Sequence, residues 1–229
     1  MTANFPLTFN QTVQGIADFI EVAIHTILYV RQIYPADLFI RRKRYDTPVF
    51  QSRHPALNEY ISGAVKAVSD ELSRGNVDKV VVVIKNKEQQ PLERFIFAVE
   101  NMVQVEGFNK DTSIENAMTT GMLGQYFRSF LVKLNMVESQ LGQLGLGDDL
   151  ADNISFAIVI ELKDNNVPST ITNGEPPPWM PAEIQHTTYG ASKSAELSMI
   201  RAVNTGVINL SLAVQESEEK LNKEKELMK

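Results

Sequence analysis

Three acidic side chains, Asp148, Asp149 and Asp152, follow the glycine-rich turn Gly145-Leu146-Gly147. Clustered carboxylate oxygens suit a hard cation. The calcium-loop pattern is absent, however, and a solvated turn explains the same residues. The GxG of that turn has no third glycine and no following lysine, so a phosphate loop does not fit. The three histidines, His25, His54 and His186, stand far apart in the sequence. His25 lies in an apolar stretch and reads as a hydrogen-bonded core residue. His54 precedes Pro55 and suits a helix cap. No HExxH, GxSxG or comparable pairing of nucleophile and base occurs. With no cysteine in the chain, disulfides, thiolate metal sites and thiol nucleophiles are excluded.

Two segments suit binding rather than catalysis. The run Arg41-Arg42-Lys43-Arg44 is open to three readings: a solvated edge strand, a nuclear-import signal, or a patch for an acidic partner. Trp179, the only tryptophan, follows Pro176-Pro177-Pro178 in a stretch without periodicity. It either pins that loop to the core or anchors a partner, since Trp is typical of interface hot spots.

These residues need elements to hold them. The chain has 229 residues, 43% hydrophobic and 22% charged, which is ordinary globular composition. Its net charge of −6 makes it a poor sequence-independent DNA binder. The N-terminus has no basic region followed by an apolar run, so neither a signal peptide nor a membrane span is expected. Helical spacing over 10–34 predicts a central helix that ends before Pro35. A strand is expected over 38–45, a helix over 55–73 and an antiparallel hairpin over 77–100. A long helix is expected over 113–141, and strands over 154–162 and 203–214. Residues 164–192 have no period, and 215–229 read as a charged tail, either a solvated helix or disordered. Strands not regularly interleaved with helices give an α+β class.

Particular residues carry a resemblance. FIEVAIHTILYVRQIY (19–34), RRKRYDTPV (41–49), His54-Pro55, LNEYI (57–61) and VDKVVVVIKNKEQQPLERFIF (77–97) are similar, in order and spacing, to the HORMA-domain adaptors. The similarity is to the non-catalytic HORMA subunit of translesion DNA polymerase zeta, and also to the spindle-checkpoint HORMA protein. It is strong over 10–100 and returns at Arg128–Lys133 and Pro178-Trp179.

The resemblance implies a central antiparallel sheet, three main helices and a C-terminal safety belt at 164–214. The HORMA domain would span 10–214, after a flexible leader at 1–9. It implies a nuclear, non-enzymatic adaptor without cofactor or metal. The belt would close over a proline-containing peptide of the polymerase zeta catalytic subunit, with Tyr60 and Trp179 at the peptide contacts. Leu197 matches the surface for a second partner, the Y-family deoxycytidyl transferase scaffold. There the family carries Gln and Tyr where this chain has Ser211 and Ala213. Arg128 and Lys133 match the position where HORMA domains pair into dimers. A spindle-checkpoint or meiotic-axis adaptor shares the fold. A metal enzyme built on Asp148, Asp149 and Asp152, or DNA binding through Arg41–Arg44, would be a different class.

Overall fold

The computed structural model describes residues 5–101, 109–142, 144, 154–163 and 179–227. The acidic cluster at 148–152 and the prolines at 176–178 lie outside the described residues.

A capping box starts helix α1 (Phe9–Val30): the Thr8 hydroxyl accepts from the Gln11 N–H, and the Gln11 side chain accepts from the Thr8 N–H. The expected flexible leader is therefore too long. Leu7 is buried, its N–H donates to the Met118 carbonyl, and Pro6 and Thr8 bridge to Thr119 and Ser113. α1 is apolar enough to cross a bilayer, yet its apolar residues are buried within the fold. It stops at Val30, four residues early. Gln32 takes a left-handed φ of 53°, and the N–H groups of Gln32 and Ile33 donate back to Tyr29 and Leu28. That is a Schellman ending. Ile33 and Tyr34 continued the apolar spacing without continuing the helix.

The next strand, β1 (Phe39–Arg44), turns through Tyr45 and Asp46, both at positive φ, into β2 (Thr47–Ser52). Two consecutive left-handed residues give the turn whose twist suits a two-residue hairpin. The sequence reading missed β2, whose Pro48 argues against a strand; here it sits in an isolated two-stranded sheet, where proline is tolerated. Arg41–Arg44 are all exposed, as a solvated strand requires. Helix α2 (Pro55–Ser73) begins with the His54 ring accepting from the Leu57 N–H.

Strands β3 (Val77–Lys85) and β4 (Pro91–Asn101) form the expected hairpin. The expected long helix is shorter. Residues 109–119 form turns against the N-terminal segment, then come α3 (Thr120–Leu134) and the single turn α4 (Glu138–Leu141). β5 (Ser155–Leu162) follows. The strand expected over 203–214 is two strands, β6 (Glu196–Asn204) and β7 (Ile208–Glu216), reversed at Gly206 with φ 82°. A last helix, α5, spans Glu218–Leu227.

The five-stranded sheet is antiparallel throughout, in the order β5-β3-β4-β7-β6. Its inner face, with Val80, Val82, Phe95, Phe97, Leu210 and Leu212, packs on the helices. Phe19 of α1 stacks on Phe127 at 4.4 Å and meets Phe97 and Phe130 edge-on. The outer face carries a smaller apolar cluster: Val81, Val83, Ile96 and Val159. His25 is a core residue. Its ring accepts from the Ser52 N–H, and burial lowers its pKa to about 4.

The tail after residue 214 is not simply solvated. Lys220 is buried, with its ammonium 2.8 Å from Glu93 and also bonded to Glu216 and to the Leu141 carbonyl. Burial alone would depress that ammonium; Glu93 and Glu216 beside it hold it above the ordinary lysine value. Glu93 also takes a two-pronged contact from Arg31, at 2.9 and 2.7 Å, and Arg31 reaches the Gly142 carbonyl. Glu93 thus joins the end of α1, β4 and the C-terminal helix. Removing one partner of such a cluster leaves buried charge uncompensated. Glu93→Leu is therefore expected to lower unfolding stability by about 3–5 kcal/mol. Urea denaturation checks this, and a loss below about 1 kcal/mol would contradict it.

Candidate functional site

β5 and β6 are consecutive strands on opposite edges of the sheet. β5 has β3 on one side and, among the described residues, no strand on the other. In an antiparallel strand the N–H and C=O of one residue point to the same side, and the next residue points to the other. The Ile158 N–H is directed away from β3, donating to the Tyr60 hydroxyl at 3.4 Å. By alternation the backbone polar groups of Ile160 also face outward. This is a row of main-chain donors and acceptors ready to pair with an added strand.

Aromatic rings flank that edge. Tyr60 of α2 lies edge-on to Phe156 at 5.6 Å, and Tyr34 approaches Phe156 at 6.3 Å. Burial, followed by the neighbouring Tyr60, raises the Tyr34 phenol above its usual value. Tyr60 remains 47% exposed, so its face is open to a ligand. Trp179 packs half-buried against the helix-side cluster, and its buried indole N–H has no partner among the described residues. Such an N–H usually finds an acceptor, and a peptide carbonyl would supply one.

Beyond Trp179 the chain moves to the other face of the sheet. Arg94 donates to the Gln185 carbonyl at 2.6 Å, the His186 ring meets the Gln89 carbonyl at 2.8 Å, and Thr188 bonds Glu161. Tyr189 lies over the Lys79 ammonium at 5.2 Å. Arg94, Lys79 and Glu161 all belong to the outer face, so 185–189 roofs the Val81, Val83, Ile96 and Val159 cluster. Gly190 is required there, because a Cβ would fall 2.1 Å from the Ile184 carbonyl oxygen.

The other expected residues form two separate surfaces. Leu197, Ser211 and Ala213 come together on the outer face of β6 and β7. There Leu197 pairs with Gln215, Met199 with Ala213 and Ala202 with Ser211. Leu197 and Met199 are exposed, whereas Ala213 is buried. Arg128 and Lys133 are exposed on α3, whose opposite face buries Leu123, Phe127 and Phe130. Arg128 is close enough to Asp46 to help Lys43 hold that carboxyl below its usual range. Among the described residues no three His, Asp or Glu side chains could hold a metal.

The sequence reading missed Tyr34, Phe156, Met199, Glu161 and Thr188. Glu161 had a signal: a lone charge in ISFAIVIEL, on the strand face that alternation assigns to Val159.

The profile of the HORMA domain matches residues 13–143. The chain belongs to the HORMA-domain family. It is 34% identical over 159 residues to chicken mitotic spindle assembly checkpoint protein MAD2B, covering 69% of each chain. It is 41% identical over 118 residues to the DNA polymerase zeta processivity subunit of Schizosaccharomyces pombe, covering 51% of this chain and 55% of that one. Its fold matches C. elegans HTP-1 bound to HTP-3 motif-1 with a TM-score of 0.66 at 12% identity, over 90% of both chains. HORMA proteins are non-catalytic adaptors. The profile match ends before β5, so of the open edge it covers the α2 wall with Tyr60 but not the edge strand itself.

An open HORMA edge predicts an exchange pattern. In the ligand-free protein the Ile160 amide exchanges with solvent faster than that of Val159, which faces β3. Residue-resolved hydrogen exchange checks this; equal protection would contradict an unpaired edge.

Proposed function

We propose that this HORMA protein is a non-enzymatic adaptor subunit of DNA polymerase zeta in translesion synthesis, acting in the nucleus. Its ligand is a proline-containing peptide of the catalytic subunit, added as a strand to the outer edge of β5. One observation carries this reading: a strand edge with no partner strand among the described residues, flanked by Tyr60, Tyr34 and Phe156. Main-chain hydrogen bonds along β5 give affinity, and the pockets beside it give specificity. Aromatic faces suit proline rings, because both partners are already stiff. The identity of the polymerase partner rests on the likeness to the S. pombe processivity subunit.

Leu197 and Met199, with Ser211 and Ala213 beside them, give the second contact, toward the Y-family scaffold. Here the exposed apolar area lies on β6, because Ala213 on β7 offers little. Arg128 and Lys133 on α3 serve pairing with a second HORMA domain. No sequence-specific DNA contact, membrane contact or cofactor is part of this function. An adaptor in spindle-checkpoint or meiotic-axis signalling is the second reading, favoured by the likeness to the MAD2B checkpoint proteins and to HTP-1.

Calorimetric titration with overlapping peptides of the catalytic subunit tests the proposal. One proline-containing segment is expected to bind, and Trp179→Ala to weaken it by at least about tenfold, as an interface hot spot would. Unchanged affinity in the variant would remove Trp179 from the contact. Binding to no segment would overturn the polymerase reading in favour of checkpoint or axis peptides.

A further inference from the structure

The β1–β2 hairpin leaves a cavity of about 440 Å³ between itself and α1. α1 supplies one wall. Asp18, Glu21, Val22 and His25 line it, and their spacing of three and four residues puts them on one helix face. The hairpin supplies the other wall with Arg42, Arg44 and Val49. Arg42 pairs with Val49 in register, and alternation puts Arg44 on the same side of β1. The volume falls in the range of small-ligand pockets, about 300–1,000 Å³.

His25 lines this cavity although only 3% of it is exposed. Its Nδ1 accepts the Ser52 N–H, so the neutral ring carries its proton on Nε2. That N–H has no acceptor among the described residues. A buried donor without an acceptor is costly, and a ligand oxygen in the cavity would supply one.

The charges around the mouth are opposite in sign and held apart. Among the described residues no ion pair joins Asp18 or Glu21 to Arg42 or Arg44. Lys43 is taken by Asp46 at 2.9 Å, and Asp18 accepts from the Gln14 amide at 2.7 Å. Burial first, and Asp18 second, raise the Glu21 carboxyl above its usual value, and Arg44 offsets only part of this. A cation beside Glu21 would relieve it. Arginine forks on the facing wall match the oxygens of a carboxylate or phosphate. One wall therefore calls for a cation and the other for an anion, with a neutral donor between them.

We propose that the cavity between α1 and the β1–β2 hairpin binds a small zwitterion. Its carboxylate or phosphate lies on Arg42 and Arg44 and accepts from His25 Nε2–H, and its ammonium faces Glu21 and Asp18. Such a ligand bridges the hairpin to the central helix. The site is independent of the peptide-capture reading. Two sources share this chemistry, a free α-amino acid and a phosphoethanolamine headgroup.

The test is an NMR titration of the full chain with L-glutamine and with O-phosphoethanolamine. Acetate, inorganic phosphate and methylammonium serve as probes of a single sign. The ring nitrogens of His25 and the amides of Val22 and Gln51 are followed, together with the melting temperature, which a ligand of the native state raises. At least one zwitterion is expected to shift His25 Nε2 saturably and to raise the melting temperature. The single-sign probes are expected to bind at least about tenfold more weakly. Arg42→Gln and Glu21→Gln, both at the mouth rather than in the core, are expected to weaken the zwitterion about threefold or more. Tighter binding of glutamine assigns the site to free amino acids, and tighter binding of phosphoethanolamine assigns it to the headgroup. Single-sign probes that bind as tightly as the zwitterions overturn the two-charge site, as does unchanged affinity in both variants. Shifts confined to Arg41–Arg44, with His25 unmoved, mean ion association at the hairpin surface and overturn the cavity as the site. No response to any probe overturns it outright.

Discussion

Two strands adjacent in sequence, β5 and β6, lie at opposite edges of one five-stranded sheet. With strands about 4.8 Å apart, the connecting chain must span roughly 19 Å across the sheet. Much of the molecule answers that constraint. The outer face carries Val81, Val83, Ile96 and Val159, which need a roof, and polar side chains that grip the roof's backbone. Arg94 takes the Gln185 carbonyl, Gln89 offers its own carbonyl to His186, and Glu161 takes Thr188. Among the described residues, the same topology leaves the outer edge of β5 without a strand beside it.

The rest of the fold makes that arrangement rigid. α1 is buried on most of its sides and carries the aromatic cluster that sets the distance between helices and sheet. Glu93 ties α1 to β4 and to the C-terminal helix, through Arg31 and Lys220. β7 is thereby fixed beside β4, with its end held at Glu216. Residues 185–188, on the way into β6, meet the sheet through hydrogen bonds to Arg94, Gln89 and Glu161.

Much of this was legible in the sequence. Periodicity located α1, α2 and the β3–β4 hairpin, because each has a run of apolar residues with one period and clear punctuation. Periodicity failed where local chemistry overrode it. Gln32 ended α1 by a left-handed turn that no glycine announced, and Gly206 divided one alternating stretch into two strands. Lys220 looked like a tail residue because Glu93, its partner on β4, reaches it only through the fold. For the candidate site, the family resemblance pointed to Tyr60 and Trp179. Phe156 and Tyr34 were not, because each reads as ordinary core until the edge strand is placed beside α2. Glu161 could have been noticed as a charge on a buried strand face, but its partner lies 27 residues on, beyond any local pattern.

In the proposed function an extended peptide pairs with the outer edge of β5. Isotope-filtered NMR on the complex of labelled protein with unlabelled proline-containing peptide tests it most directly. Cross-strand contacts from the backbone of Ile158 and Ile160 to alternate peptide residues, with further contacts to the rings of Tyr60 and Trp179, are the predicted result. Contacts confined to Leu197 and Met199 on β6, with β5 unperturbed, would contradict the account.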